Sequence, residues 1–322
     1  MSKLLAVPER VVDPQLGYFL LILANKFKFE TIPKALALAE HQISAIVEDK
    51  DLVGPSGKPQ PVSPDVRLSL AKDIYALVAG SLRRYTGSPL ARIFSSLLQG
   101  PANTEHGHVL ARDFDIIFRP HACLRKDLNA SVKPLWSQKA YINLVRPMIP
   151  LSWPKLDGSE ATCANYSVAV LSSVRHLDYG VYADDAQDLI RLVLCVLRNL
   201  PTGVDVEAGL RVLETVARES PEALEPFLKS VIDVCEAIVS GTEAPDVSWM
   251  PGGYPPAGPK VQAKCRDLAV MLLGYLPGRF QHGKLRSAAP RVGRLLAVAC
   301  GDGVRKVRRS ALTAKLAWAD VN

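Results

Sequence analysis

The sequence predicts an all-α protein, an α-solenoid of stacked HEAT/ARM-type helical hairpins, on three observations. Apolar residues recur at helical spacing nearly throughout the 322 residues. The helices come in pairs at a period near 40 residues, in the range of HEAT and armadillo units. Hydrophobic residues make up 48% of the chain and aromatic ones only 7%, a bias towards Leu, Val and Ala that suits thin, closely stacked helix layers.

The elements follow in order. About seven units are expected in a single solenoid covering residues 1–322, at 13–50, 64–99, 104–152, 161–200, 204–240 and 259–300, with a terminal helix at 302–322. Residues 51–63 carry four prolines or glycines before Pro61 and read as a loop. The 204–220 segment repeats Val206, Leu210, Leu213 and Ala217 at spacings of four, three and four, with Asp205 as N-cap and Pro221 as the stop. Its partner runs from 222 to 239 through Leu224, Phe227, Leu228, Val231, Val234 and Ile238. First helices begin near Ala164, Val206, Val261 and Arg305, about 42, 55 and 44 residues apart. The long interval contains a Pro/Gly-rich insertion at 241–259, which cannot be helix; without it the period returns to about 40. In the last unit Asp302-x4-Val307-Arg308-x2-Ala311-Leu312 resembles the HEAT consensus D-x4-V-R-x2-A, and Val66-Arg67 with Ala71 echoes it. Pro221 and Pro277 occupy the turn that many HEAT units break with proline.

Composition narrows the class of protein. No apolar run approaches the ~20 residues of a membrane span, and MSKLLAVPER lacks the pattern of a secretory signal, so a soluble, intracellular chain is expected. Cys123, Cys163, Cys195, Cys235, Cys265 and Cys300 are widely spaced, with no CxxC and no tight Cys/His pair. They read as buried free thiols, without a zinc module or a resident cofactor. Residues 260–322 hold thirteen Lys/Arg against three acids, whereas 184–246 hold thirteen acids against five bases. This asymmetry predicts one electropositive surface rather than a generally basic protein.

Candidate chemistry is sparse. His106 and His108, with Glu105 and His121 nearby, form the densest His/acid cluster, but positions two apart on a helix point in different directions. Asp184-Asp185 suits a helix N-terminal turn. Trp136, Trp153, Trp249 and Trp318 read as core or loop anchors. No GxSxG, HExxH, kinase-like or phosphate-loop motif is present, so no enzyme is expected. The terminal helix stands apart. Val304, Val307, Ala311, Ala314 and Trp318 make one apolar stripe, and Arg305, Lys306, Arg308 and Arg309 surround it in the first two turns. Cations there oppose the helix dipole. Arg308 has an ordinary role as a HEAT arginine against a neighbouring Asp; the other three call for carboxylates or phosphates from a partner.

The final unit, DGVRKVRRSALTAKLAW, resembles the carboxy-terminal repeat of the HEAT-repeat scaffold family of the cytosolic iron–sulfur cluster assembly (CIA) targeting complex, first named for methyl-methanesulfonate sensitivity and nucleotide excision repair. The matching positions are Val307, Arg308, Ala311 and Trp318. The likeness extends back through KCRDLAVMLLGYLP at 264–277 and SSVRHLDYGVYADDAQDLIRLVLCVL at 172–197, then through FDIIFR at 114–119 with Ser131-Val132 and RYTGSPL at 84–90. Leu177-Asp178 stands where the family has Leu-Pro, and the 241–259 insertion is additional.

The resemblance implies the C-terminal portion of a longer, non-enzymatic adaptor, cytoplasmic and nuclear. Its partners would be a WD40 β-propeller subunit and a small reactive-cysteine subunit, passing [4Fe–4S] clusters to client helicases, polymerases and primase. The scaffold itself would ligate no cluster. The residues alone favour Arg305, Lys306, Arg308 and Arg309 as the partner-binding set. Two alternatives stay open: a HEAT module binding nucleic acid directly, and an unrelated helical-repeat scaffold.

Overall fold

The computed structural model describes residues 14–26, 31–34, 36–37, 52–53, 59–60, 64–84, 105–153, 160–199, 203–241 and 259–321. Among these the chain is all-α apart from one antiparallel ladder, β1 (Leu52–Val53) with β2 (Pro59–Gln60), in the segment expected to be plain loop. The chain divides into two units, Met1–Val181 and Tyr182–Asn322. The expected repeats at 13–50 and 64–99 lie partly outside the described residues, as does nearly all of the insertion at 241–259, with Trp249.

In the first unit α1 (Pro14–Lys26) packs on α2 (Pro64–Leu82), and α2 also meets α3 (Glu105–Asp113) and α4 (Asp115–Phe118). Helix α5 (Glu160–Val174) covers α3 and α4. From Leu70 to Leu82 nearly every α2 side chain is buried, which marks α2 as a central helix rather than an amphipathic surface one. Backbones touch where α1 crosses α2: a Cβ at Gly80 would lie 2.1 Å from the Leu21 carbonyl oxygen, so only glycine permits this approach. Buried Asn25 ties the crossing down. Its amide donates to the Gly80 and Ser131 carbonyls at 3.2 and 2.9 Å and accepts from the Ser131 N–H at 2.9 Å.

Beyond α4 the expected unit 104–152 is not a plain hairpin. Short 3-10 turns at Ala122–Leu124 and Lys126–Leu128 precede Trp136–Ala140 and a π-helical turn at Tyr141–Val145.

The second unit is built from α6 (Ala186–Asn199), α7 (Gly203–Glu219), α8 (Leu228–Ser240), α9 (Pro259–Tyr275), α10 (Ala289–Ala299) and α11 (Arg305–Ala319). Helix α7 packs on α9 and α9 on α11; α6 packs on α8 and α8 on α10. Cross-contacts join α6 to α7, α8 to α9 and α10 to α11.

Two details differ from the sequence expectation. Asp205 lies buried in the first turn of α7 rather than capping it. The segment expected to run unbroken from 222 to 239 is interrupted: Pro221–Leu224 forms one turn, Glu225–Phe227 a 3-10 turn, and only then does α8 begin. Pro226 is the reason, since it has no N–H to continue the ladder. Asp184 and Asp185 sit on the 3-10 turn before α6, as their dipole preference requires.

Candidate functional site

The terminal helix α11 starts where the chain leaves an extended Val304. Asp302 shapes this entry. Its Oδ1 accepts the Val304 N–H at 2.8 Å, and both carboxylate oxygens accept from Arg266 of α9, at 2.8 and 3.1 Å. Hydrogen bonding from Arg266 holds the Asp302 carboxyl below the usual carboxylate range.

One face of α11 is the anchor. Val307, Ala311, Ala314 and Trp318 are buried at spacings of four, three and four, the stripe predicted except that Val304 is exposed. The helices approach closely, because a Cβ on Gly274 of α9 would come within 3.1 Å of the Ala314 Cβ. Trp318 is 2% exposed, and its indole N–H donates to the Leu273 carbonyl at 2.8 Å. That carbonyl needs an outside donor, because the residue four positions on is Pro277, which has no N–H.

The four predicted partner-binding cations separate into two kinds. Lys306 Nζ lies 2.7 Å from Oδ2 of Asp267, an ion pair rather than an aligned hydrogen bond. Asp267 is 1% exposed, and its Oδ1 accepts from Ser310 at 2.6 Å. Lys306 therefore neutralises a buried α9 carboxylate. Arg308 donates to the carbonyls of Asp302 and Gly303, at 2.7 and 3.1 Å, and so clamps the turn. The sequence pairs Arg308 with an Asp carboxylate; in the structure the Asp302 carboxylate is taken by Arg266. Arg305 and Arg309 are exposed and pair with no carboxylate among the described residues.

Part of the charge asymmetry is consumed inside the second unit. Glu207 of α7 pairs with Lys264 of α9, Glu225 with Lys284, and Asp233 and Glu236 of α8 with Arg291 of α10. The acidic block and the basic block meet because successive helices stack. What remains as an uncompensated cationic surface is narrower than the +10 of residues 260–322 implies.

The exposed side of α11 carries a feature that sequence reasoning missed. Leu312 and Leu316 are 56% and 66% exposed. They follow Arg305 and Arg309 at positions i+7 and i+11, on one face. The signal was present in the sequence as a second apolar line on a helix that needs only one.

The other sequence candidates are distributed as follows, the side chains of Glu105, His106 and His108 lying outside the described residues. His106 and His108 lie on α3. His121 Nε2 meets the Ile116 carbonyl at 2.7 Å, and burial lowers its pKa. Trp136 stacks on Phe118, with the Arg83 guanidinium 3.8 Å from the indole centroid. Arg83 is itself buried, which lowers its pKa to about 9, and it donates to the carbonyls of Ala79, Ile117 and Arg119. The Cys163 thiol lies 3.4 Å from the Trp153 carbonyl. Cys163, Cys235 and Cys265 are buried, while Cys123, Cys195 and Cys300 are partly exposed. Burial pushes the Cys235 thiol well up and that of Cys265 up to about 11. Among the described residues no three His, Cys, Asp or Glu side chains gather as metal ligands, and no helix is long and apolar enough to cross a membrane.

Compared with known proteins, the chain matches no protein-family model and no curated protein.

Proposed function

We propose that the chain is a non-enzymatic helical-repeat adaptor of the cytosolic iron–sulfur assembly machinery. In this reading it docks a WD40 β-propeller subunit and a reactive-cysteine subunit so that [4Fe–4S] clusters reach apoproteins of DNA replication and repair. The observation that carries the adaptor reading is the exposed pair Arg305 and Arg309, without carboxylate partners among the described residues, on a helix otherwise firmly anchored. Supporting a HEAT-type solenoid is the packing order of the second unit, α7–α9–α11 beside α6–α8–α10. Each pair has too little core of its own, and stacking makes the core continuous. The assignment to iron–sulfur targeting rests on the resemblance carried by Val307, Arg308, Ala311, Trp318 and the blocks before them.

The test is co-elution on a sizing column at about 150 mM salt with the two subunits, alongside R305E/R309E. Lys306 and Arg308 are left intact because they hold the fold. A complex lost on reversal supports the reading; separate elution of all three wild-type proteins refutes it. A second reading, direct nucleic-acid binding, is favoured by one observation: α11 has five Lys/Arg and no acid. It predicts oligonucleotide affinity that falls steeply and log-linearly with salt.

A further inference from the structure

The outward face of α11 has a lengthwise polarity that defines its ligand. Arg305 and Arg309 occupy the first two turns, and Leu312 and Leu316 the next two, in one line opposite the buried stripe Val307, Ala311, Ala314 and Trp318. The cationic and apolar halves are centred about 10 Å apart along the axis. Leucines more than half exposed on a helix whose other side is fully packed have no role in the fold of this unit. They align with the two arginines that pair with no carboxylate among the described residues.

We propose that this face docks an acidic amphipathic helix of a partner protein, running parallel to α11. The inference rests on the adaptor reading in taking α11 as a docking surface, and it deepens that reading by naming the partner's chemistry. The partner's first turn carries Asp or Glu over Arg305 and Arg309, where its own helix dipole also favours acids. Its next two turns carry Leu-type side chains over Leu312 and Leu316, completing a helix-on-helix seam of the kind α11 already makes with α9. Running the partner the other way would put its acids at a helix C-terminus, which the dipole disfavours.

A second copy of this chain on the same face brings no acid of its own α11 to Arg305 and Arg309, since that helix carries none. A two-fold antiparallel pairing centred on Leu312 would set Arg309 against Lys315 and Leu316 against Arg308, opposing like charges and burying leucine under a cation. A phosphate backbone accounts for the arginines but leaves the leucines without contacts, and no aromatic side chain lies on the line to stack a base. A membrane needs a broad free apolar face, and the broad apolar face of α11 is already spent on α9.

The experiment is a selection from a display library of helical peptides about four turns long against the whole chain. R305E/R309E and L312A/L316A are run as parallel baits. Expected is an enriched pattern with Asp or Glu in the first turn and paired Leu or Ile one to two turns later. A synthetic peptide of that pattern should lose about ten-fold or more in affinity on either double variant. All four positions are exposed, so circular dichroism of the variants should match wild type. Three results would overturn the proposal. One is failure to enrich, or enrichment without acids. Another is affinity that depends on the arginines alone, with an oligonucleotide or phosphatidylserine vesicle competing equally well. The third is binding of the peptide to both variants as tight as to wild type. If the patterned peptide binds as expected but the propeller and cysteine-bearing subunits do not co-elute, the docking surface stands and the iron–sulfur assignment falls. If the subunits co-elute with both variants as they do with wild type, the assignment stands and this surface falls.

Discussion

The link between Trp318 and Pro277 can be isolated by a double-mutant cycle. Pro277 cannot donate to the Leu273 carbonyl four residues earlier, and the Trp318 indole N–H, at 2.8 Å, supplies that donor from the next helix in the row. Trp318→Phe keeps most of the buried ring but removes the donor, leaving a buried carbonyl orphaned at a cost of about 1–2 kcal/mol. The smaller ring also leaves a void, which adds to the cost. Pro277→Ala supplies a backbone N–H in register with Leu273. The void is common to both arms of the cycle, so the difference between the W318F penalties with and without Pro277→Ala reports the hydrogen bond alone. That coupling should be about 1 kcal/mol, with the penalty smaller once residue 277 can donate. Urea unfolding followed by circular dichroism measures it as a shift of midpoint at constant slope. An equal penalty in both backgrounds would show that the indole does not stand in for the missing N–H, and the reasoning would be wrong.

Asp115 of α4 is bound by Arg175 and His176; burial pushes its carboxyl up, but hydrogen bonds from His176 and Arg175 outweigh this and hold it at about 2. Because the folded pKa lies below the unfolded one, its contribution is present above about pH 4 and lost as pH falls towards 2, and Asp115→Asn should flatten acid unfolding in that window. Gly274→Val should destabilise the α9–α11 crossing by about 1–3 kcal/mol, because a Cβ there already meets Ala314 at 3.1 and 3.2 Å; an unchanged melting midpoint would place the helices farther apart. Native protein treated with a thiol reagent should label Cys235 and Cys265 only after unfolding, as buried thiols pushed up in pKa; rapid native labelling of either, read by peptide mapping, would contradict their burial.

The all-helical class and the anchored face of α11 were legible in the sequence, because both follow from a 3.6-residue period that each helix carries within itself. Val307, Ala311, Ala314 and Trp318 announce a buried stripe before any neighbour is known. The proline breaks are legible in kind but not in place: Pro221 reads as a stop, whereas Pro226 sits inside an apolar period that hides the break it makes in the following helix. Charge was the least transferable signal. A basic block after an acidic one reads as a surface for partners, yet Lys264, Lys284, Arg291 and Lys306 pair with carboxylates on neighbouring turns and helices. Which cations are spent and which are free depends on side chains up to about sixty positions apart meeting when helices stack. No local pattern encodes that meeting. The helices and the face α11 buries are written in the local period of apolar residues; that Arg305, Arg309, Leu312 and Leu316 are what it leaves exposed follows from the packing of the helices, because exposure is a property of what packs around a residue rather than of the residue.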